Sequence, residues 1–242
     1  MSDDLWQRLR AHTPARIGIG RSGTGTPTAA VLSTTAAHAA ARDAVHAELD
    51  VPMLQRDLEG LGLGPVSVVP SAAPDRSTYL TRPDLGRTPG GPLPTGGDAD
   101  VAVVLADGLS AVATQTHAVP LLAALLPLLD SPTTLAAPVI ATQARVALGD
   151  HIGQAVGAQL VLVLIGERPG LSASDSLGAY LTWRPQPGIL DSARNCVSNI
   201  RPPHGLDYDT AARTIAALIT GARQLRATGV RLKDVSAALP AG

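Results

Sequence analysis

The sequence contains very few aromatic residues and a single cysteine. Phenylalanine is absent, and aromatic residues make up only 2% of the 242 residues. A hydrophobic core therefore has to be built from alanine, valine, leucine and isoleucine. Because Cys196 is the only cysteine, an intrachain disulfide is impossible, and we expect no cysteine-based zinc or iron–sulfur site within the chain.

The chain also lacks an excess of either charge and a long apolar run. Its formal net charge is −1, whereas proteins that bind nucleic acids or anionic membranes present a basic face. No run approaches the roughly 18 apolar residues of a membrane span, and the acidic N-terminus does not resemble a secretory signal. With 45% hydrophobic residues, we expect a folded cytosolic protein of one or two domains, with neither nucleic acid nor membrane as its partner.

Local patterns predict helices first and then strands that alternate with helices. Thr26 and Pro27 predict the start of a helix that runs to about Leu49, with Thr26 as its cap. Asp50 predicts the cap of a short helix. The further pattern predicts strands at 65–69, 101–105, 138–141 and 160–165, and helices at 109–129, 150–156 and 207–227.

This alternation predicts an α/β fold, with a Rossmann-like parallel sheet domain preceded by a smaller helical N-terminal region. We place the helical region at 1–64 and the Rossmann-like domain at 65–242. The run TPGGPLPTGG at 88–97 predicts a flexible loop, either a surface insertion or a domain boundary.

Ligands of such sheets bind beyond the carboxyl ends of the strands. Polar, glycine-bearing segments follow three predicted strands, and we expect them to form one composite binding rim: 107–110, 143–146 and 166–170. Glu167 and Arg168 form either a solvated ion pair or part of a binding site. The polar segment around Cys196 is either a binding loop for an amide-rich ligand or a polar turn.

Motifs of a self-sufficient catalytic centre are missing from the sequence. The segment GIGRSG at 18–23 has the form G-x-G-x-x-G, but no strand precedes it and no βαβ unit surrounds it. We interpret it as a flexible or partner-binding loop, and we interpret His117 as structural. With no nucleophile–base set and no metal spacing among the histidines, the residues alone predict a ligand-binding domain without catalytic or metal-ligating residues.

A set of motifs spread in order over almost the whole chain nevertheless resembles the small (light) subunit of ethanolamine ammonia-lyases. The motifs are TPARI at 13–17, ARDAVH at 41–46, YL at 79–80 with RPDLG at 82–86, ADGLSA at 106–111, IGERPGL at 165–171, DSLGAY at 175–180 and NCVSNI at 195–200. The set is specific, although none of its members is specific alone.

The resemblance implies adenosylcobalamin-dependent radical deamination of ethanolamine to acetaldehyde and ammonia. It implies an obligatory subunit, inactive alone, that helps to bind the cofactor at the interface with a large subunit, whose barrel holds the substrate. Because the sequence has no D-x-H-x-x-G motif, the implied cofactor is base-on. Matched by motif, the implied cofactor contacts are Arg145, Val146, Glu167 and Cys196.

The resemblance also concerns the N-terminus and the place of the protein in the cell. It implies that the region 1–64 contacts the large subunit. Because the N-terminus is short beside relatives with an encapsulation extension, we expect a cytoplasmic protein, with a bacterial microcompartment as an open alternative. Two other functions also stay open: a non-enzymatic cobalamin or nucleotide carrier, and a structural partner that does not touch the cofactor.

Overall fold

The computed structural model describes residues 3–13 and 15–233. Its helices are α1 Asp3–Arg10, α2 Thr28–His46, α3 Val51–Glu59, α4 Arg76–Thr81, α5 Ala111–Leu125, α6 Leu148–Ala155 and α7 Tyr208–Leu225. Its strands are β1 Ser67–Pro70, β2 Val101–Ala106, β3 Val139–Thr142, β4 Leu160–Gly166, β5 Leu177–Trp183 and β6 Asn195–Ile200.

The six strands form one mixed sheet in the order β1-β3-β2-β4-β5-β6. The first four of these are mutually parallel, whereas β5 runs antiparallel to β4 and β6 antiparallel to β5. The α/β class is thus confirmed, but the expectation of a parallel sheet is wrong for its last two strands. Only residues 167–176 join β4 to β5, and a parallel return needs a longer crossover.

Side chains of the central strands alternate between two hydrophobic layers. In β2, Val101, Val103 and Leu105 face the layer formed with α3, α5 and α7. Ala102 and Val104 face the layer formed with α6. This alternation follows from the two-residue period of a strand, and it leaves the carboxyl ends of β2, β3 and β4 between helices of the two layers.

Most predicted elements are found close to their predicted bounds, with one wrong cap. Asp50 accepts a hydrogen bond from the Met53 amide at 3.0 Å and caps α3, as predicted. Thr26 does not cap α2: the cap position belongs to Pro27, which offers no side-chain bond. Pro27 has an extended ψ of 138°, so the helix starts one residue after it. The narrower description as Rossmann-like stays a prediction.

The Pro- and Gly-rich segment at 88–97 is tied to the edge of the sheet. The Gly90 amide donates to the Pro70 carbonyl at 2.9 Å, and the Ala72 amide donates to the Thr88 carbonyl at 2.9 Å. Leu93 packs against the layer that contains α6. The segment therefore covers the edge strand β1, while its flexibility and the division of the chain into 1–64 and 65–242 stay predictions.

One stretch, Ala111–Leu128, is long and apolar enough to span a membrane by length and composition alone. It comprises α5 and the turn after it. Ala113, Leu121 and Leu122 are fully buried, and the helix packs against α7 and β4. A core helix passes the same test, and we interpret α5 as one.

Candidate functional site

A cavity of about 610 Å³ lies at the carboxyl ends of the central strands. We call it the carboxyl-end cavity. All three segments of the predicted binding rim contribute to its lining, with Gly108, Leu109, Arg145, Val146, Gly166 and Glu167 among the lining residues. The turn after β2 and the end of β4 are joined directly, because the Leu109 amide donates to the Gly166 carbonyl at 2.9 Å.

A buried carboxylate connects the ends of β2 and β3 beneath the cavity. Asp107 accepts hydrogen bonds from the Gln143 amide at 2.7 Å and from the Ala144 amide at 2.9 Å. Asp107 also forms an ion pair with Arg76, with 3.5 Å between Nη1 of Arg76 and Oδ2 of Asp107. Burial raises the pKa of Asp107, and these amide bonds and the Arg76 charge oppose the shift. The carboxylate therefore fixes the segment that carries Arg145.

Arg76 also joins the end of α2 and its own helix α4 to the segment that carries this carboxylate. Its Nε donates to the Val45 carbonyl at the end of α2 at 2.6 Å, and its Nη1 donates to the Gly108 carbonyl at 2.8 Å. The guanidinium also lies 4.8 Å from the centre of the Tyr79 ring. One side chain of α4 thus links α2, α4 and the turn after β2.

Arg145 is held by stacking and by its backbone. Its guanidinium lies 4.2 Å from the centre of the Tyr79 ring, on which Arg76 also stacks. The Arg145 amide donates to the Gly86 carbonyl at 2.8 Å. A Cβ added to Gly86 would lie 2.9 Å from Cγ of Arg145, so a glycine is needed here for the close packing. The Nε atom of Arg145 is buried without a hydrogen-bond partner.

Glu167 directly follows β4, and its carboxylate is fixed by two donors. Its Oε2 accepts hydrogen bonds from the Ser176 hydroxyl and, at 3.1 Å, from the Asn199 amide. Its Oε1 would lie 3.0 Å from a Cβ added to Gly178, so the carboxylate lies flat against β5. Among the described residues, Glu167 and Arg168 form no ion pair with each other. The interpretation of these two residues as a solvated ion pair is therefore wrong.

Cys196 lies in a strand, so both interpretations of its segment as a loop or a turn are wrong. It is placed in β6 opposite Tyr180 of β5, and directly opposed residues project to the same face of a sheet. Tyr180 lines the carboxyl-end cavity, whereas Cys196 lies next to it and is not a lining residue. Partial burial raises the pKa of the Cys196 thiol, although the Tyr180 hydrogen bond opposes this shift.

Several lining residues were not among the predicted contacts. Tyr79 and Arg87 come from the segment between β1 and β2, and Tyr180 and Asp191 come from β5 and the connection after it. Asp191 forms an ion pair with Arg194 at 3.3 Å. The motifs at 79–86 and 175–180 contain Tyr79 and Tyr180, but nothing local in those motifs indicates that they meet Arg145 or Glu167.

A second buried ion pair supports the connection between β5 and β6. Arg194 donates to both carboxylate oxygens of Asp150, at 2.6 and 2.7 Å, and to the Ile189 carbonyl at 2.9 Å. Both side chains of the ion pair are 1% exposed. Asp191 is therefore fixed beside the cavity by contacts that do not use the cavity itself.

The arrangement is suited to holding a ligand. Guanidinium donors and a carboxylate acceptor surround an apolar surface formed by Leu109, Val146 and Ile165, as in binding sites for organic cofactors. Among the lining residues that the structure describes, no nucleophile is hydrogen-bonded to a base. The expectation that the chain has no catalytic residue of its own stays a prediction.

Comparison with known proteins decides the family. The model of the ethanolamine ammonia-lyase light chain matches residues 3–233. The chain belongs to the ethanolamine ammonia-lyase light chain family. A relative from Rhodococcus erythropolis is 52% identical over 97% of this chain and 92% of its own length. A relative from Bradyrhizobium diazoefficiens is 53% identical over 95% of this chain and 90% of its own length. A relative from Azotobacter vinelandii is 48% identical over 96% of this chain and 89% of its own length. All three are named ethanolamine ammonia-lyase small subunit.

Membership of the family confirms the resemblance that the sequence motifs predicted. Five of those motif segments, at 79–86, 106–111, 165–171, 175–180 and 195–200, converge around the carboxyl-end cavity or next to it. The assignment of Arg145, Val146, Glu167 and Cys196 as cofactor contacts is not tested by these comparisons and stays a prediction. The structure places the first three in the lining and Cys196 beside it.

Proposed function

We propose that this chain is the obligatory small subunit of an ethanolamine ammonia-lyase and that its carboxyl-end cavity forms one wall of an adenosylcobalamin site. The observation that carries the proposal is the convergence of family motifs from distant parts of the chain on this cavity. Substrate binding and the reacting atoms then belong mainly to the large subunit.

The residues of the cavity fit the periphery of a corrinoid. A corrin ring carries neutral amide side chains, which need both donors and acceptors. The buried Nε of Arg145 is a donor without a partner, and Glu167 presents an oxygen, Oε1, for which no hydrogen bond is formed among the described residues. Val146 and Leu109 add apolar surface.

The size of the cavity supports a shared site. A volume of about 610 Å³ falls in the range of pockets for drug-sized ligands, roughly 300–1,000 Å³. A cobalamin is much larger than such a ligand, so this wall covers only part of it and the partner covers the rest. A carrier that binds cobalamin alone is less well supported for the same reason.

When bound, the cofactor would supply the radical chemistry through homolysis of its cobalt–carbon bond. The residues of this chain would bind and orient it. Arg145 would donate from its guanidinium, Glu167 would accept at Oε1, and Val146 would pack against the ring. Cys196, beside the cavity, adds compact packing next to Tyr180. Together these residues exclude water from one side of the reacting centre, which radical chemistry requires. A base-on cofactor stays a prediction.

The exposed helix α2 is our candidate contact with the large subunit. Of its 19 residues, only Ala44 is buried, and Val31 and Leu32 are 47% and 64% exposed. Such apolar exposure is typical of a surface that another protein covers. Leu32→Asp should therefore weaken co-purification of the two subunits, whereas Val230→Asp, at another strongly exposed apolar position, should leave it unchanged.

The experiment that tests the proposed function is reconstitution of the reaction. Acetaldehyde formation from ethanolamine and adenosylcobalamin is measured with this chain alone, with the large subunit alone and with the mixture. We expect activity only in the mixture. A folded but inactive complex that retains cobalamin would favour the carrier, and an active large subunit that gains only stability would favour a structural partner. The cytoplasmic location, with a microcompartment as the alternative, stays a prediction.

A further inference from the structure

The carboxyl-end cavity contains more positive charge than its carboxylates balance. Asp107 is paired with Arg76, and Asp191 shares Arg194 with Asp150. Glu167 accepts hydrogen bonds from neutral donors of Ser176 and Asn199. Three lining guanidinium groups remain, and in the described part of the chain none of them forms an ion pair with a carboxylate: Arg87, Arg145 and Arg168.

Arg145 is the most constrained of these three cations. The Tyr79 ring, 4.2 Å away, and the Gly86 carbonyl fix its position. Among the described residues its buried Nε has no partner, and its one side-chain hydrogen bond there, from Nη2 to the Tyr79 carbonyl, is long at 3.3 Å. A partly buried charge without a counter-charge is destabilising, so this geometry favours binding of an anion.

The nature of the cavity restricts which anion fits. Planar guanidinium groups match the oxygens of carboxylates and phosphates with two parallel hydrogen bonds. The corrinoid of the proposed function has neutral amides around its ring and one anionic group, the phosphodiester of its nucleotide tail. Of the cofactor's groups, only that phosphodiester is the natural counter-charge of three unpaired arginines.

We propose that Arg145, flanked by Arg87 and Arg168, forms a phosphate-binding subsite that recognises the phosphodiester of the corrinoid. The inference rests on the proposed function, because it assigns one subsite within the same cavity. It assigns a role to Arg87 and Arg168, which the sequence motifs did not place among the cofactor contacts. It also revises the role given to Arg145 above, from a donor to the neutral amides to the partner of the phosphodiester, and it leaves the neutral ring to Val146 and Glu167.

The test compares three corrinoids that differ in the tail. Cobalamin has the phosphate and the base, cobinamide phosphate has the phosphate without the base, and cobinamide has neither. Binding to the assembled two-subunit complex is followed by absorbance titration. Arg145→Gln should weaken binding of cobalamin and of cobinamide phosphate by about tenfold or more, as for a lost charged hydrogen bond. Cobinamide should bind as it does to the wild type.

Further variants distinguish a lost phosphate contact from a general defect in folding. Arg145→Lys, which retains the charge, should recover part of the lost affinity. Arg87→Gln and Arg168→Gln are changes at exposed positions and should each weaken the two phosphate-bearing corrinoids by about two- to fivefold, as for exposed ion pairs. Arg223→Gln is the matched control, because Arg223 pairs with Asp100 at the opposite end of the sheet and should change none of the three affinities.

The outcomes separate this inference from the proposed function. If Arg145→Gln weakens all three corrinoids equally, or none of them, the phosphate subsite is wrong. If inorganic phosphate binds in an Arg145-dependent way while the corrinoid affinities do not depend on Arg145, the site takes a free phosphate ester, and the corrinoid assignment is overturned. If the wild-type complex binds no corrinoid at all, the proposed function itself fails.

Discussion

Strand β2 has an aspartate just beyond each end, and the two carboxylates differ in their surroundings. Asp100, before the strand, accepts hydrogen bonds from the amide and hydroxyl of Thr134 and pairs with Arg223 at 2.8 Å. Asp107, after the strand, accepts amide bonds from Gln143 and Ala144 and pairs with Arg76 at 3.5 Å. Each aspartate thus ties β2 to the segment next to β3.

The difference between the two ends is one of burial and charge balance. Burial raises the pKa of Asp100, but its hydrogen bonds and Arg223 outweigh that effect and lower the pKa overall. At Asp107 the effect of burial prevails, and the pKa is raised. The carboxyl end also contains a second guanidinium, that of Arg145 on the Tyr79 ring. At the amino end Asp100 and Arg223 pair with each other, whereas at the carboxyl end the Arg145 guanidinium has no carboxylate partner among the described residues.

The largest expected effect is on stability at the carboxyl end. Asp107→Asn removes the partner of buried Arg76 and one of two acceptors for the Gln143 and Ala144 amides. We expect the free energy of unfolding to fall by about 3–5 kcal/mol, as when one partner of a buried ion pair is lost. Asp100→Asn should lower the free energy of unfolding by about 1 kcal/mol. Thermal unfolding of the two-subunit complex measures the loss of stability in each variant. Equal losses in the two variants would contradict the difference between the two ends of β2.

A smaller effect is expected from a change that adds one methyl group beside Arg145. In Gly86→Ala, the new Cβ would lie 2.9 Å from Cγ of Arg145 and 3.0 Å from the Tyr79 ring. We expect overpacking of about 1–3 kcal/mol and weaker cobalamin binding. Gly91→Ala is the matched control, because its Cβ would lie at an ordinary 3.4 Å from Pro70. Unchanged cobalamin affinity in Gly86→Ala would mean that the position of Arg145 is irrelevant.

The smallest effect concerns a histidine outside the cavity. Burial lowers the pKa of His117, with Asp175 raising it and Arg201 lowering it further. Its Nδ1 is hydrogen-bonded to the Tyr208 hydroxyl at 2.8 Å. Because the unfolded chain binds a proton more readily, stability should fall as the pH falls from about 6.5 towards the folded pKa.

The variant His117→Gln isolates this contribution. The melting temperature of the wild type, measured from pH 8 down to pH 5, should fall more steeply than that of His117→Gln. Titration of the aspartates contributes to the pH dependence of both proteins, so this contribution cancels in the difference between the two curves. Parallel curves for the two proteins would show that His117 does not change its protonation on unfolding.

Sequence patterns predicted the central sheet because its signal is local. The continuous apolar runs of β2 and β4 indicate strands that are buried on both faces, and the rule for ligands at carboxyl ends led to Arg145 and Glu167. Strands β5 and β6 were both missed. Strand β6 lies at the sheet edge: Val197 and Ile200 are buried, and most of the other residues of the strand are exposed. Its polar composition is that of a loop.

The partners of the site residues could not be predicted because they come from distant parts of the chain. Tyr79 and Arg145 are 66 residues apart, and no local pattern indicates that the Tyr79 ring contacts the guanidinium groups of both Arg76 and Arg145. Gly178 is similar, since its lack of a side chain leaves space for the Glu167 carboxylate. Arg145 and Glu167 were among the predicted contacts, whereas Tyr79, Arg76 and Gly178 were not, and only the fold explains what each of them contacts.

The most direct test of the account is the cobalamin affinity of the assembled complex with changes at the two ends of the sheet. Glu167→Ala, in the cavity, and Cys196→Ala, beside it, are compared with Asp100→Asn. The account predicts weaker binding for the first two, by about tenfold for Glu167→Ala as for a lost charged hydrogen bond, and wild-type affinity for Asp100→Asn. Wild-type affinity in both of the first two variants would contradict the central claim that the carboxyl-end cavity holds the cofactor.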